Sequence, residues 1–135
     1  MQTLGRLAAV SLAVAVTTSV PAASFAATSW HTVATFEGAK HQACKTLVDN
    51  GTQWRIKNRL VNGNRTKVGA GMTVQKNGVD TNGTWNSGLV RKGETSDVGS
   101  VTMPRNDDRF TLASFEYMGQ AGNGGSLAIT DIGRC

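Results

Sequence analysis

Few residues in this chain have catalytic potential, and their spacing assembles no known catalytic motif. The 135-residue sequence contains two histidines, His31 and His41. A serine–histidine–acid mechanism needs a base, an orienting acid and an activated hydroxyl in one site, and no Gly-x-Ser-x-Gly elbow occurs. Neither histidine belongs to a His-x-x-x-His metal motif with a third ligand. The pattern favours a non-enzymatic protein without catalytic residues, metal or cofactor.

The acidic residues do not indicate a particular catalytic site. Nine Asp and Glu residues are scattered along the chain, whereas a glycosidase needs two carboxylates across a cleft. These acids neither support nor exclude such a site. The adjacent pair Asp107-Asp108 would face opposite ways in a strand, so we interpret it as a turn before Phe110.

Basic side chains recur at alternate positions in one segment. Arg55, Lys57 and Arg59 share one face of a predicted strand, and Arg65 and Lys67 follow the Asn62-Gly63 dipeptide. If the two flanking strands pair as a hairpin, all five form one basic patch. The patch would contact an acidic partner, such as a cell-wall polymer or a secreted protein. Alternatively, it is a solvated face that protects an edge strand from pairing with other chains.

Three tryptophans could form a platform on which sugar rings stack. Trp54 and Trp85 lie on the apolar faces of alternating segments, which indicates core positions. Trp30 lies near the N-terminus of the mature chain and could be exposed. One exposed aromatic ring does not make a platform. A carbohydrate-binding module is therefore an alternative to a protein that binds through its basic patch.

The N-terminal segment has the layout of a secretory signal peptide. Arg6 precedes an apolar run from Leu7 to Val16, and the small-x-small sequence ending at Ala26 fits signal peptidase. About ten apolar residues are too few to span a bilayer, which needs about 20. We predict cleavage near Ala26, secretion, and a single mature domain over 27–135 with no membrane span.

Cleavage of the signal peptide changes the net charge of the chain but removes neither cysteine. Loss of Arg6 lowers the formal net charge from +5 to about +4. This mild basicity suits acidic surfaces but is too small to indicate nucleic acid, and export makes that partner less plausible still. Cys44 and Cys135 both remain, and an even count in an oxidising compartment predicts one disulfide.

Alternating segments between Gly- and Asn-rich dipeptides predict an all-β fold. Asn-Gly, which suits type I′ hairpin turns, occurs at 50–51, 62–63, 77–78, 82–83 and 123–124. About eight strands are predicted, at 30–36, 43–48, 54–60, 67–75, 85–90, 98–103, 110–118 and 126–132. They indicate an immunoglobulin-like or related Greek-key sandwich closed by one disulfide. A small β-barrel is the alternative.

Smaller features add detail to this prediction. Trp85, Ser87 and Leu89 are expected to share the inward face of their strand. Gly69 and Gly71 inside a strand predict a bulge or the close approach of another backbone. The Gly-rich stretch 120–125 is interpreted as a flexible hairpin loop, and residues 27–40 as partly loose.

Two resemblances carry the remaining functional hypotheses. The runs 85–96 and 98–101 and the ending 122–135 resemble small secreted actinobacterial proteins of unassigned function. Trp54-Arg55-Ile56 resembles the Trp-Arg-Tyr of tendamistat-type α-amylase inhibitors, with Ile56 in place of the aromatic residue. The second resemblance implies that Trp54 and Arg55 lie on an exposed turn and contact a secreted hydrolase. That family has two disulfides, whereas this chain can form one.

Overall fold

The structure, a computed structural model, describes residues 29–63, 66–105 and 109–135. The predicted signal peptide over 1–26, Arg65 and the Asp107-Asp108 pair lie outside these ranges. The described residues form eight strands, with bounds His31–Phe36 (β1), Ala39–Val48 (β2), Gln53–Asn62 (β3), Val68–Lys76 (β4), Val79–Val90 (β5), Gly99–Pro104 (β6), Phe110–Met118 (β7) and Ala121–Ala128 (β8). Short 3-10 turns follow β2 and β8, at Asp49–Gly51 and Ile129–Asp131. Within the same ranges, no helix is long and apolar enough to cross a membrane.

The strands form two antiparallel four-stranded sheets, which confirms the predicted sandwich. Their orders are β1-β2-β3-β6 and β5-β4-β7-β8. The strands β6 and β7 return to pair with β3 and β4, as strands E and F pair with B and C in an immunoglobulin-type sandwich. At the two open sides, β1 lies against β8 and β5 against β6. Because no hydrogen-bonded ladder joins the sheets in the described chain, the fold is a sandwich rather than a closed barrel.

Alternation along the strands builds the core, because successive side chains of a strand point to opposite faces. In β4, the inward residues Val68, Ala70, Met72 and Val74 are all at most 2% exposed. They pack against the inward residues of the other sheet, which include Ile56 and Leu60. This part of the hydrophobic pattern was read correctly from the sequence.

The C-terminus is tied to β2 by the predicted disulfide between Cys44 and Cys135. The backbone of Lys45 reinforces it. Its N–H donates to Gly133 O and its carbonyl accepts from Cys135 N, both at 3.0 Å. The terminal segment forms this bridge beyond the point where β1 stops pairing with β2. It therefore covers a part of β2 that would otherwise be a sheet edge.

Two of the five Asn-Gly dipeptides turn the chain as expected. Asn77 and Gly78, with φ of 51° and 78°, connect β4 to β5, and Asn50-Gly51 lies between β2 and β3 with φ of 53° and 82°. The turn prediction is wrong at 82–83 and at 123–124, which lie inside β5 and β8. Cross-strand pairing there overrides the local turn preference.

Several boundaries also differ from the sequence prediction. Most of the Gly-rich stretch 120–125 is strand β8, which begins at Ala121. Residues 31–36 form β1, and residues 39–40 begin β2 after a two-residue turn. Leu89 is 58% exposed, whereas Val90 is buried. The cause is a register shift opposite Gly69 and Gly71, where Gly88 adopts a φ of 64° and reverses the alternation.

Candidate binding surfaces

The outer surface of the sheet β1-β2-β3-β6 is basic. Arg55, Lys57 and Arg59 alternate with the buried residues Ile56 and Asn58, so all three face outward as predicted. Lys40 of β2 is exposed and lies on the same side, because its neighbours Ala39 and His41 are buried. We call these four cations, Lys40, Arg55, Lys57 and Arg59, the basic face. The four strands of this sheet contain no Asp or Glu.

Short polar side chains flank the cations at the centre of the face. Arg55 lies opposite Thr46 on one side and Thr102 on the other, and Lys57 lies between Ser100 and the disulfide-bonded Cys44. Such short neighbours cannot cover a long basic side chain. No cross-strand neighbour of Arg55 or Lys57 is acidic. Arg55 is exposed and Lys57 half-buried, so both can contact a ligand on this face.

Arg59 is held more firmly than its two neighbours. Its Nε donates to Gln42 Oε1 at 3.0 Å, and its guanidinium carbon lies 4.2 Å from the centroid of the Trp30 ring. Partial burial lowers the pKa of Arg59, but a guanidinium stays protonated in proteins. Trp30 is consequently half-covered and does not form an open stacking surface.

The predicted five-residue basic patch does not form as a hairpin. The strands β3 and β4 belong to different sheets, so the Asn62-Gly63 dipeptide lies in a crossover between layers. Lys67 is exposed just before β4 and is not paired beside Lys57. Arg65 lies outside the described residues. The sequence carried no signal that distinguished a hairpin from a crossover at this position.

Trp54 is the centre of a separate group of cations at one end of the sandwich. Lys45 Nζ lies 4.8 Å from its ring centroid, and the guanidinium carbons of Arg134 and Arg105 lie at 5.4 Å and 5.7 Å. Lys45 Nζ also donates to Ile129 O at 2.7 Å. Burial, with a smaller contribution from Arg134, lowers the pKa of Lys45.

The position of Trp54 can be compared with the exposed turn that the resemblance to α-amylase inhibitors implies. Trp54 is half-buried on the inner side of β3, packed against the core, while Arg55 points to the opposite face. The tripeptide that begins at Trp54 therefore lies within a strand instead of on an exposed turn. Trp54 and Arg55 are not displayed together in the way that the resemblance implies.

A cluster of polar side chains lies between the two sheets. His41 of β2, Asn58 of β3, and Ser114 and Glu116 of β7 are at most 4% exposed. His41 Nδ1 lies 2.6 Å from Ser114 Oγ, and its Nε2 lies 3.1 Å from Asn58 Oδ1. The His41 ring also stacks on Trp85, with centroids 5.1 Å apart.

The hydrogen bonds of this cluster define the tautomer of His41. Asn58 Nδ2 donates to Ile56 O, so Asn58 Oδ1 is the acceptor and must receive a proton from Nε2. Nδ1 is then unprotonated and accepts from the Ser114 hydroxyl. A neutral ring suits this site, because burial lowers the pKa of His41 to about 4, an effect that the bond to Asn58 partly opposes.

Glu116 completes the cluster. Its Oε1 accepts from the backbone N–H of His41 at 3.1 Å, and its Oε2 has no hydrogen-bond partner among the described residues. Burial raises the pKa of Glu116, and the bond from His41 N–H opposes this increase. These groups are sealed from solvent and do not face a substrate. The bonds of His41 to Ser114 and Glu116 join the two sheets, and Asn58 holds the His41 ring from the neighbouring strand β3.

Sequence reasoning did not detect this cluster, although one signal was present. Asn58 falls on the inward face of its strand together with Ile56 and Leu60, and Ser114 and Glu116 alternate with outward residues in the correctly predicted strand 110–118. Two inward polar positions on one predicted strand and one on another indicate an internal hydrogen-bond network. Pairing His41 with them required the tertiary structure.

Across the described ranges, no group of three or more His, Cys, Asp and Glu side chains could hold a metal ion. Comparison of the chain with protein-family models, curated proteins and solved structures finds no match. The two resemblances noted from the sequence therefore remain hypotheses.

Proposed function

We propose that the chain acts outside the cytoplasm as a non-enzymatic binding protein that holds an acidic polymer of the cell envelope on its basic face. The observation that carries the proposal is the segregation of charge. The outer face of one sheet carries the exposed Lys40 and Arg55 and the half-buried Lys57 and Arg59, on strands that contain no acidic residue. Complementary potentials of this kind favour association with anionic partners and fix their orientation.

The spacing of the cations favours an extended ligand. Alternate residues of a strand are about 6.7 Å apart, so Arg55, Lys57 and Arg59 form a row along β3. An anionic chain lying along this row meets a positive charge at each step. Arg59 is already positioned by Gln42 and Trp30, which reduces the side-chain entropy lost on binding.

The proposed location rests on two further features. The Cys44–Cys135 disulfide fits an oxidising compartment, and the segment over 1–26 has the charge and apolar pattern of a signal peptide. In this proposal, cleavage near Ala26 releases the domain on the outer side of the membrane. Acidic wall polymers are the abundant anions available there.

The test is a binding assay on the mature chain with a purified poly(glycerol phosphate) wall polymer as the probe. We expect binding that weakens as salt rises from about 50 to about 200 mM, because the contacts are charge-based. Replacing Arg55→Ser and Lys57→Ser together should weaken binding by about tenfold or more. This variant leaves Arg59 and its contacts with Gln42 and Trp30 intact.

A matched control separates the basic face from net charge. The double change Arg91→Ser and Lys92→Ser removes the same charge from an exposed loop outside the face and should bind nearly as well as the wild type. Equal weakening by both double variants would refute a defined site. Absence of polymer binding, together with salt-sensitive capture of an acidic secreted protein, would assign the face to the other class of partner.

A further inference from the structure

The opposite sheet, β5-β4-β7-β8, carries an exposed aromatic surface that the sequence did not indicate. Phe115 and Tyr117 project outward from β7, directly across from Gly71 and Gly69 of β4. Phe115 is 47% exposed. Their ring centroids lie 6.2 Å apart and their planes are inclined by 27°, so the two rings are nearly parallel.

Both rings lie flat on the sheet, as the space above the two glycines shows. A Cβ added at Gly71 would fall within 3.0 Å of three adjacent atoms of the Phe115 ring, Cζ, Cε1 and Cε2. A Cβ at Gly69 would be almost equally close to Cζ, Oη and Cε2 of Tyr117. Near-equal approach to adjacent ring atoms means that each glycine lies beneath a ring face. The other face of each ring is therefore turned to solvent.

Polar side chains adjoin the first ring. A pocket of about 340 Å³ adjoins Phe115 and is lined on its polar side by Thr73, Thr84 and Asn86. Asn86 Oδ1 accepts from Gly88 N at 2.8 Å and is 3.5 Å from Tyr117 Oη. Among the described residues, Asn86 Nδ2 and the hydroxyls of Thr73 and Thr84 have no hydrogen-bond partner, which leaves them available to a ligand.

The electrostatics of this surface differ from those of the basic face. The charged residues of the four strands are Lys76 and Asp80 at one end of the sheet, and Glu116, which faces the core. The Phe115 ring and the pocket therefore lie in an uncharged part of the sheet, whereas the exposed Lys67, just before β4, lies beyond the Tyr117 end. A ligand that matches the uncharged part has no charge itself, presents a flat apolar face to the rings and carries hydroxyls for the surrounding donors and acceptors.

From this geometry we infer that Phe115 and Tyr117, with Thr73, Thr84 and Asn86, form a binding site for a neutral polysaccharide. The apolar face of a pyranose ring stacks on a flat aromatic face, whose π-system carries partial negative charge towards the sugar C–H groups. The hydroxyls of the sugar then meet the polar lining of the pocket. Two adjacent platforms suit consecutive sugar residues of a chain. The site is separate from the basic face, which lies on the other sheet.

The test uses the mature chain and five neutral hexasaccharides as probes, namely cellohexaose, laminarihexaose, maltohexaose, mannohexaose and chitohexaose. Binding is measured by calorimetry and by amide chemical shifts of Gly69 and Gly71. We expect at least one probe to bind and to shift both glycines. Phe115→Ala should weaken that binding by about tenfold, whereas Phe115→Trp should retain it. Val98→Ala, which truncates a 54% exposed residue elsewhere, should bind like the wild type.

One variant tests the flat arrangement without removing an aromatic ring. Gly71→Ala places a methyl group where the Phe115 ring lies, so the ring must tilt away from the strand. Binding should fall as it does in Phe115→Ala, while thermal unfolding confirms that the variant is folded. Failure of all five probes to bind, or equal binding by wild type and Phe115→Ala, would overturn the inference. So would binding of a fluorescent apolar dye at Phe115 without binding of any sugar.

The two sites have distinguishable outcomes. Arg55→Ser with Lys57→Ser should leave sugar binding unchanged, and Phe115→Ala should leave binding of poly(glycerol phosphate) unchanged. Loss of both activities in either variant would indicate a single shared surface and overturn the assignment of a second site.

Discussion

His41 Nδ1 accepts a 2.6 Å hydrogen bond from Ser114 Oγ and thereby joins β2 of one sheet to β7 of the other. Both side chains are buried, at 0% and 4% exposure. Most contacts between the two layers are apolar and non-directional, whereas this bond has a defined geometry. It therefore helps to fix how the two sheets are aligned.

Removal of the Ser114 hydroxyl should lower the stability of the protein. In Ser114→Ala, the Nδ1 of His41 loses its donor inside the core, and an unsatisfied buried polar group costs about 1–3 kcal/mol. We expect the free energy of unfolding, measured by urea denaturation, to fall by about this amount. The same substitution at the exposed Ser126 of β8 should change it by less than about 0.5 kcal/mol. Equal values for the two variants would contradict a role for the His41–Ser114 bond.

Stability should depend on pH through His41 and Glu116, in opposite directions. The pKa of His41 is about 4 in the folded protein and 6.5 as its ordinary value. Between these values the unfolded chain binds a proton that the folded protein does not, so stability falls as the pH falls from 6.5 to 4. The full difference corresponds to about 3 kcal/mol. The pKa of Glu116 is raised, so its contribution is present at low pH and is lost as the pH rises through the folded value.

Glu116→Gln separates these two effects. The glutamine keeps a side-chain oxygen that accepts from His41 N–H, but it has no carboxyl group that titrates. We expect this variant to lose more stability than the wild type on going from pH 7 to pH 4, because the opposing contribution of Glu116 is gone. Glu94→Gln makes the same change on an exposed side chain and should follow the wild type. Denaturant titrations at several pH values measure the difference. Parallel curves for the wild type and Glu116→Gln would show that the carboxyl does not titrate differently on folding.

The disulfide should stabilise the folded protein by an amount set by the length of the loop that it closes. Cys44 and Cys135 are 91 positions apart, and closing a loop of this size restricts the unfolded chain by about 4–5 kcal/mol in the chain-entropy model. We expect the double variant Cys44→Ala and Cys135→Ala to lose a comparable free energy of unfolding. Hydrogen exchange should also show faster opening at the amides of Lys45 and Cys135, which bond across this closure. A loss below about 1 kcal/mol would indicate that the loop is already ordered in the unfolded state.

Local patterns in the sequence were sufficient for the fold class and for much of the core. Alternation in 54–60 and 68–74 placed Ile56, Leu60 and Met72 inward and Arg55 and Lys57 outward, because a strand presents successive side chains to opposite faces. The Asn77-Gly78 turn was also local, since both residues adopt the positive φ that favours these residue types. The Cys44–Cys135 pairing needed only an even cysteine count and an oxidising compartment.

Other features depended on contacts between distant parts of the chain. Asn62-Gly63 has the same composition as Asn77-Gly78, yet it lies in a crossover, because β3 pairs with β6 and β4 with β7. Pairing of β5 with β4, across the Asn77-Gly78 turn, placed Asn82-Gly83 inside a strand. A bulge at Gly88 then turned Leu89 to solvent, which a strict two-residue period could not anticipate.

The sequence by itself determined that the chain alternates into strands, which face of β3 is basic and which cysteines pair. These properties follow from the two-residue period of a strand and from residue chemistry. The tertiary structure alone decided that Ser114 reaches His41 and that Phe115 and Tyr117 lie over Gly71 and Gly69. The physical reason is that strand pairing and sheet packing join residues that are more than 40 positions apart, and no local pattern encodes that register.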